Sequence, residues 1–237
     1  DEFVFFDAVK SGDLEALNEV ISLGTIDFNY ADEDGNTPLI TASRAGYNEV
    51  VSALANAGAD LELAAEFPAD VDTPLTAASA AGHLGVVKIL LEKGALIEGP
   101  GRDGRTPLIT ASAHGQYEVV KYLVDKGADV NAVKMDGTTS LSWAAYAPSA
   151  DVVAFLVDQG ASVDVMDRVD GSQPIHFACQ KPGNDTKKVL IRLVDAGADV
   201  LARTGVVGPR DQRGVPKVSH FTFPFEAGLA PVGTYYF

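Results

Sequence analysis

The chain has 237 residues, 46% of them hydrophobic, enough for one sizeable core or for an elongated stack of small units that share one. Its 18 Lys and Arg stand against 33 Asp and Glu, and the resulting net charge of −15 opposes phosphate backbones and anionic headgroups, which argues against nucleic acid or a membrane surface as partner. Cys179 is the single cysteine, so an internal disulfide and a Cys-based zinc site are excluded and an intracellular setting, cytoplasm or nucleus, is expected; no apolar run approaches the ~20 residues that would cross a bilayer.

Taken in chain order, the first segment is DAVKSGDLEALNEVISLG (7–24), preceded by Phe3, Phe5 and Phe6. It is expected to cap a stack over residues 1–31, with the three rings contributing to the core. DGNTPLITASRAG (34–46) follows, then DTPLTAASAAG (72–82), DGRTPLITASAHG (103–115), GTTSLSWAAYAP (137–148) and GSQPIHFACQKP (171–182). Behind each comes an apolar set at helical spacing: Val51/Leu54, Val87/Leu90/Leu91, Val120/Leu123/Val124, Val153/Leu156/Val157 and Leu190/Leu193/Val194. The closing glycines are Gly58, Gly94, Gly127, Gly160 and Gly197, separated by 36, 33, 33 and 37 positions. The period is thus about 33 residues with two insertions.

Each letter of this unit has a physical reason. Asp-Gly supplies the positive φ angles of a tight hairpin, Thr caps the next helix through its hydroxyl, and Pro fits the first helical turn, where a missing N–H costs nothing. Ala42, Ala78, Ala111, Ala144 and Ala178 recur at one position, which lets neighbouring first helices approach closely. The closing glycines stop the second helix in a left-handed turn.

With five aligned copies, the chain resembles the ankyrin repeat family from about residue 5 to 203. The resemblance implies an all-α solenoid of helix-turn-helix units joined by β-hairpin loops, with repeats at about 32–67, 68–100, 101–133, 134–167 and 168–203. Two departures stand out. The signature His is replaced by Ile40, Thr76, Ile109 and Ser142 and survives only as His176, which removes a loop-tethering hydrogen bond; and Val71 occupies a turn-glycine position. The resemblance further implies a concave protein-binding groove built from hairpin tips and first-helix ends. The binding candidates there are Asn36, Arg44, Asp72, Arg105, His114, Met135, Thr138, Trp143 and Tyr146. Trp143 is expected to pack between helices rather than face a partner, His83 to sit between helices, and His176 to tether a loop.

GPGRDGRTPLITAS (99–112) also satisfies G-x-G-x-x-G through Gly99, Gly101 and Gly104. A dinucleotide fingerprint must follow a buried strand, whereas Leu90-Leu91-Glu92-Lys93-Gly94 ends a helix, so no cofactor is expected. The histidines form no i,i+4 pair and the tip carboxylates lack calcium-loop spacing, so no metal is expected either. A catalytic alternative rests on His114 as a general base beside Asp72, Asp103 or Asp136.

Residues 204–237 read as a degenerate cap or an extended tail. Pro216, Pro224 and Pro231 forbid further helices, and Phe221, Phe223, Phe225, Tyr235, Tyr236 and Phe237 are too many rings to leave in water. The tail is expected to lie on the last repeat or reach the groove, in the catalytic alternative as a lid; a disordered linker is the other reading. The expected protein is a monomeric, non-catalytic scaffold for a basic protein or peptide.

Overall fold

A computed structural model describes residues 2–24, 26–65, 72–101 and 103–204, and every regular element among them is a helix. The helices come in antiparallel pairs: α1 (Glu2–Ser11) with α2 (Leu14–Leu23), α3 (Pro38–Ala45) with α4 (Asn48–Asn56), and α5 (Pro74–Ala81) with α6 (Leu84–Glu92). Then come α7 (Pro107–Ala113) with α8 (Tyr117–Asp125), α9 (Ser140–Tyr146) with α10 (Ala150–Asp158), and α11 (Pro174–Gln180) with α12 (Thr186–Asp195). The first helix of each pair touches the first helix of the next, and the second touches the second, which produces a two-layered stack. The all-helical repeat solenoid implied by the sequence is the observed architecture.

Helix starts follow their local chemistry. Thr37, Thr73 and Thr106 are extended and accept hydrogen bonds from Ile40, Thr76 and Ile109 N–H, with Pro38, Pro74 and Pro107 next in line. Where Pro is missing, Thr139 forms a reciprocal capping box with Ser142. Helix ends are equally local: Gly58 has φ 98°, Gly58 N–H donates to Ala55 O and Ala59 N–H to Leu54 O, which is a six-to-one closure of the α4 terminus.

The core runs along the stack between the two layers. Leu39, Leu75, Leu108, Leu141 and Ile175 from the first helices meet Leu54, Leu90, Leu123, Leu156 and Leu193 from the second, all buried. Ala42, Ala78, Ala111, Ala144 and Ala178 are all fully buried, and their small side chains bring successive first helices closer together than successive second helices. That difference bends the stack toward its first-helix side. At the N-terminal end Phe5 is buried and meets Phe28 edge to face at 5.9 Å, while Phe6 is half-buried against Tyr30. The side chain of Phe3 lies outside the described residues.

The hairpins differ from the sequence expectation in one respect. Only the glycines adopt positive φ (Gly35 76°, Gly104 80°, Gly137 85°, Gly171 73°), and no other described residue does. A two-residue turn would need the left-handed conformation twice; these turns are longer, with Gly35 N–H donating to Asp32 O and Asp32 N–H to Asn36 O. Aspartate serves through its carboxylate instead: Oδ1 of Asp103, Asp136 and Asp170 accepts the N–H of Arg105, Thr138 and Ser172. Among the described residues strand pairing is reduced to a single bridge, Val133 to Thr139. Val71 lies outside the described residues.

Loss of the signature His changes how neighbouring units are tied. His176 Nε2 donates to Ala202 O at 2.9 Å while its Nδ1 accepts Gln173 N–H, so the ring tethers the following loop. Ile40 and Ile109 are buried, and the hydroxyls of Thr76 and Ser142 turn back to Thr73 and Thr139 at their own helix starts. Acceptors in the loops supply ties elsewhere: Asn29, Glu62, Glu98 and Asn131 accept the N–H of Asp60, Leu96, Asp129 and Ser162 in the next unit. Desolvation raises the Glu98 carboxyl, with the bond from Asp129 N–H lowering it and the Asp129 charge raising it, and the group sits above its ordinary value.

Candidate functional site

The first-helix side carries the polar residues that the hairpins and helix ends project, and they fall into two clusters. In the first, Arg44 at the end of α3 donates to Asn36 Oδ1 at 3.2 Å and meets Asp72 Oδ2 at 3.4 Å, joining the second and third units. Arg44 is exposed, and its backbone carbonyl accepts a hydrogen bond of 3.0 Å from His83 Nε2. The His83 ring stands over Gly46, where a Cβ would come within 2.7 Å of it. His83 therefore joins consecutive units, as its sequence position implies.

The second cluster is larger. Lys134 lies 3.4 Å from Asp103 Oδ2 and 3.1 Å from Asp136 Oδ2, and Arg105 Nε lies 2.8 Å from the same Asp103 oxygen. That last contact is an ion pair without hydrogen-bond alignment, which leaves the buried Nε without an aligned acceptor. Thr138 Oγ1 donates to Asp136 Oδ1 at 2.6 Å and accepts from Trp143 Nε1 at 2.9 Å. The Arg105 guanidinium lies 4.8 Å from the Trp143 ring centroid and the Lys134 ammonium 5.6 Å. Trp143 meets Tyr146 edge to face at 5.9 Å, and Lys181 lies 5.5 Å over Tyr146. Partial burial acts to raise the Asp136 carboxyl, but the two bonds from Thr138 and the Lys134 charge outweigh it and hold the group below its ordinary value.

Tips of the hairpins complete the wall. Met135 is 71% exposed and Val169 79%, so two apolar side chains stand in water beside the Trp143 cluster. Arg168 reaches Met135 O at 3.2 Å and holds the two tips together.

Several sequence expectations change here. Trp143 is half-buried and sits among cations on the first-helix side rather than in the buried core, because the two preceding hairpins deliver Arg105 and Lys134 to its ring. Thr138 is only 4% exposed, with its hydroxyl committed on both sides, to Asp136 Oδ1 and to Trp143 Nε1. His114 is exposed and its Nδ1 donates to Thr110 O of its own helix at 2.9 Å. Among the described residues it is hydrogen-bonded to none of Asp72, Asp103 and Asp136. Asn36, Arg44, Asp72, Arg105, Met135 and Tyr146 lie in or beside the two clusters.

The glycine run near residue 100 is a turn. Gly99 N–H donates to Leu96 O, Gly104 N–H to Gly101 O and Gly101 N–H to Arg105 O, and no described strand leads into it. No group of three or more His, Cys, Asp or Glu among the described residues is arranged to hold a metal ion. Burial pushes the Cys179 thiol up to about 11, which keeps it protonated and a poor nucleophile at neutral pH. Sequence reading missed Lys134 and Arg168 as parts of the clusters; a basic residue at three successive tips, Arg105, Lys134 and Arg168, was the available signal.

Comparison with known families agrees with this geometry. Residues 61–134 match a model described as ankyrin repeats in three copies, and residues 34–65 and 136–168 match the single ankyrin repeat. The chain belongs to the ankyrin repeat family. Ankyrin repeats are general scaffolds for protein–protein interaction. A search of curated proteins gives no match. No helix among the described residues is long and apolar enough to cross a membrane.

Proposed function

We propose that this chain is a non-catalytic binding module that recognises a protein or peptide on the first-helix side, with the cluster around Trp143 as its principal anchor. The carrying observation is the preassembled ring pair, Trp143 and Tyr146, held by Arg105, Lys134 and Lys181 beside the exposed side chains of Met135 and Val169. Binding energy concentrates on such aromatic and arginine anchors when their positions are fixed before contact. The Arg44 cluster supplies a second, weaker contact point in the same groove.

The net charge of −15 favours a basic partner through faster encounter, while the anchor supplies contact energy. The protein acts as a monomer inside the cell on this reading. Affinity capture with the parent chain and with Arg105→Ala and Trp143→Ala variants tests it, with circular dichroism as the control for folding. Proteins retained by the parent and lost from both folded variants, with retention falling as salt rises, are the expected outcome. An identical retained set from all three chains contradicts the groove assignment.

A further inference from the structure

The last described helix pair exposes a face that every earlier pair keeps covered. Ser43, Ser79, Ser112 and Ala145 occupy equivalent positions on α3, α5, α7 and α9 and are fully buried, as is Val9 on α1. Among the described residues the first pair packs on the following pair, which covers this position. On α11 the equivalent residue is Cys179, and it is partly open. The second-helix layer behaves alike: Leu17, Val51, Val87, Val120 and Val153 are fully buried, while their counterpart Leu190 is only half-buried.

The chemistry of this end also changes. Glu62, Glu98 and Asn131 stand at the loop position that accepts a backbone N–H from the next unit, and the corresponding residue after α12 is Leu201, 61% exposed. On the outer edge, Ser52, Lys88, Lys121 and Ala154 correspond to Ile191, the largest apolar side chain at this position and 42% exposed, and Val194 nearby is 43% exposed. At the loop position a polar tie to another repeat has been replaced by an apolar side chain. What belongs on this face is an apolar segment, not another copy of the unit.

The chain supplies one. Thr204 is 6% exposed and the preceding Ala202 carbonyl is held by His176, so the chain leaves the described part directly beside α11. Residues 205–237 follow, outside the described residues, with prolines at 216, 224 and 231 that bar another helix pair and six rings between Phe221 and Phe237. We propose that the aromatic segment 219–237 folds back onto the open face made by Cys179, Leu190, Ile191, Val194 and Leu201 and closes the stack in cis. Burying those rings removes two apolar surfaces from water in one contact. Closure of the end is separate from recognition in the groove.

The single cysteine makes the proposal measurable. Maleimide labelling of Cys179 in the full chain at fixed pH is expected to run about tenfold slower than in a variant with serine at Phe221, Phe223, Phe225, Tyr235, Tyr236 and Phe237, and to be independent of protein concentration. Equal rates overturn the proposal. Protection that vanishes on dilution assigns the face to a second copy and overturns it too. A second variant, Ile191→Lys with Leu201→Asn, leaves the core untouched because both residues are exposed and both replacements occur at the equivalent internal positions. It is expected to speed chymotrypsin cleavage of the tail, and cleavage at the parent rate contradicts the proposal.

Discussion

The two clusters on the first-helix side share an Arg–Asp ion pair and differ in what surrounds it. Arg44 is exposed and reaches the half-buried Asn36 and Asp72 from the solvent side, and an ion pair with one exposed partner contributes little. Around Trp143, two aspartates, two cations, a buried threonine hydroxyl and two rings constrain one another, and each group limits where the next can move. The difference teaches that charge at a hairpin tip becomes a fixed feature only when an aromatic floor lies beneath it.

Substitutions can break that contrast or sharpen it. The largest effect is expected from Leu141→Ala, on the core side of the helix that carries Trp143: it leaves a cavity in a fully buried site and should cost about 2–5 kcal/mol in denaturant unfolding. Trp143→Ala removes the floor itself and should cost roughly 2 kcal/mol, less than a fully buried ring, because Trp143 is half-buried. Thr138→Val keeps the shape but leaves Trp143 Nε1 without its acceptor and Asp136 Oδ1 with only the backbone N–H of residue 138, at about 1–2 kcal/mol. Arg44→Ala should fall within about 1 kcal/mol, and a cost equal to that of Trp143→Ala would erase the distinction between the clusters.

Acid sharpens the same comparison. The Asp136 carboxyl sits lower in the folded chain than its ordinary value of 3.8, so its interactions add stability above that pH and lose it as the pH falls through the depressed folded value. Thr138→Val removes two of the groups' mutual restraints, including the side-chain bond that lowers the carboxyl. The stability gap between parent and variant should therefore be full at neutral pH and narrow below pH 3.8, as read from unfolding midpoints across an acid series. A gap that stays constant would show that Asp136 does not contribute through its charge.

Much of the fold was legible because its determinants are local. Thr37-Pro38, Thr73-Pro74 and Thr106-Pro107 start helices through their own atoms, and Gly58 and its counterparts end them with one backbone conformation. The repeat spacing then fixes which helices meet. Side-chain direction at the groove was less legible. Thr138 and Thr139 are adjacent and chemically identical, yet Thr139 caps α9 while Thr138 turns toward Asp136 and Trp143. Trp143 was read as an interior residue because its place on the helix suits the interior; the cations that hold it come from the hairpins of the preceding unit and of its own. His114 shows the opposite limit: recurrence near 33 residues assigns it to the same region as three aspartates, but its Nδ1 bond to Thr110 O of its own helix has no signal in that recurrence.

Trp143 is the single tryptophan, so its emission reports on the proposed anchor without labelling. Titrating the chain with a captured partner fragment that lacks tryptophan should give a saturable shift in Trp143 emission, with the same midpoint as binding followed by sedimentation. Binding that saturates by sedimentation while Trp143 emission stays unchanged would contradict recognition through this cluster.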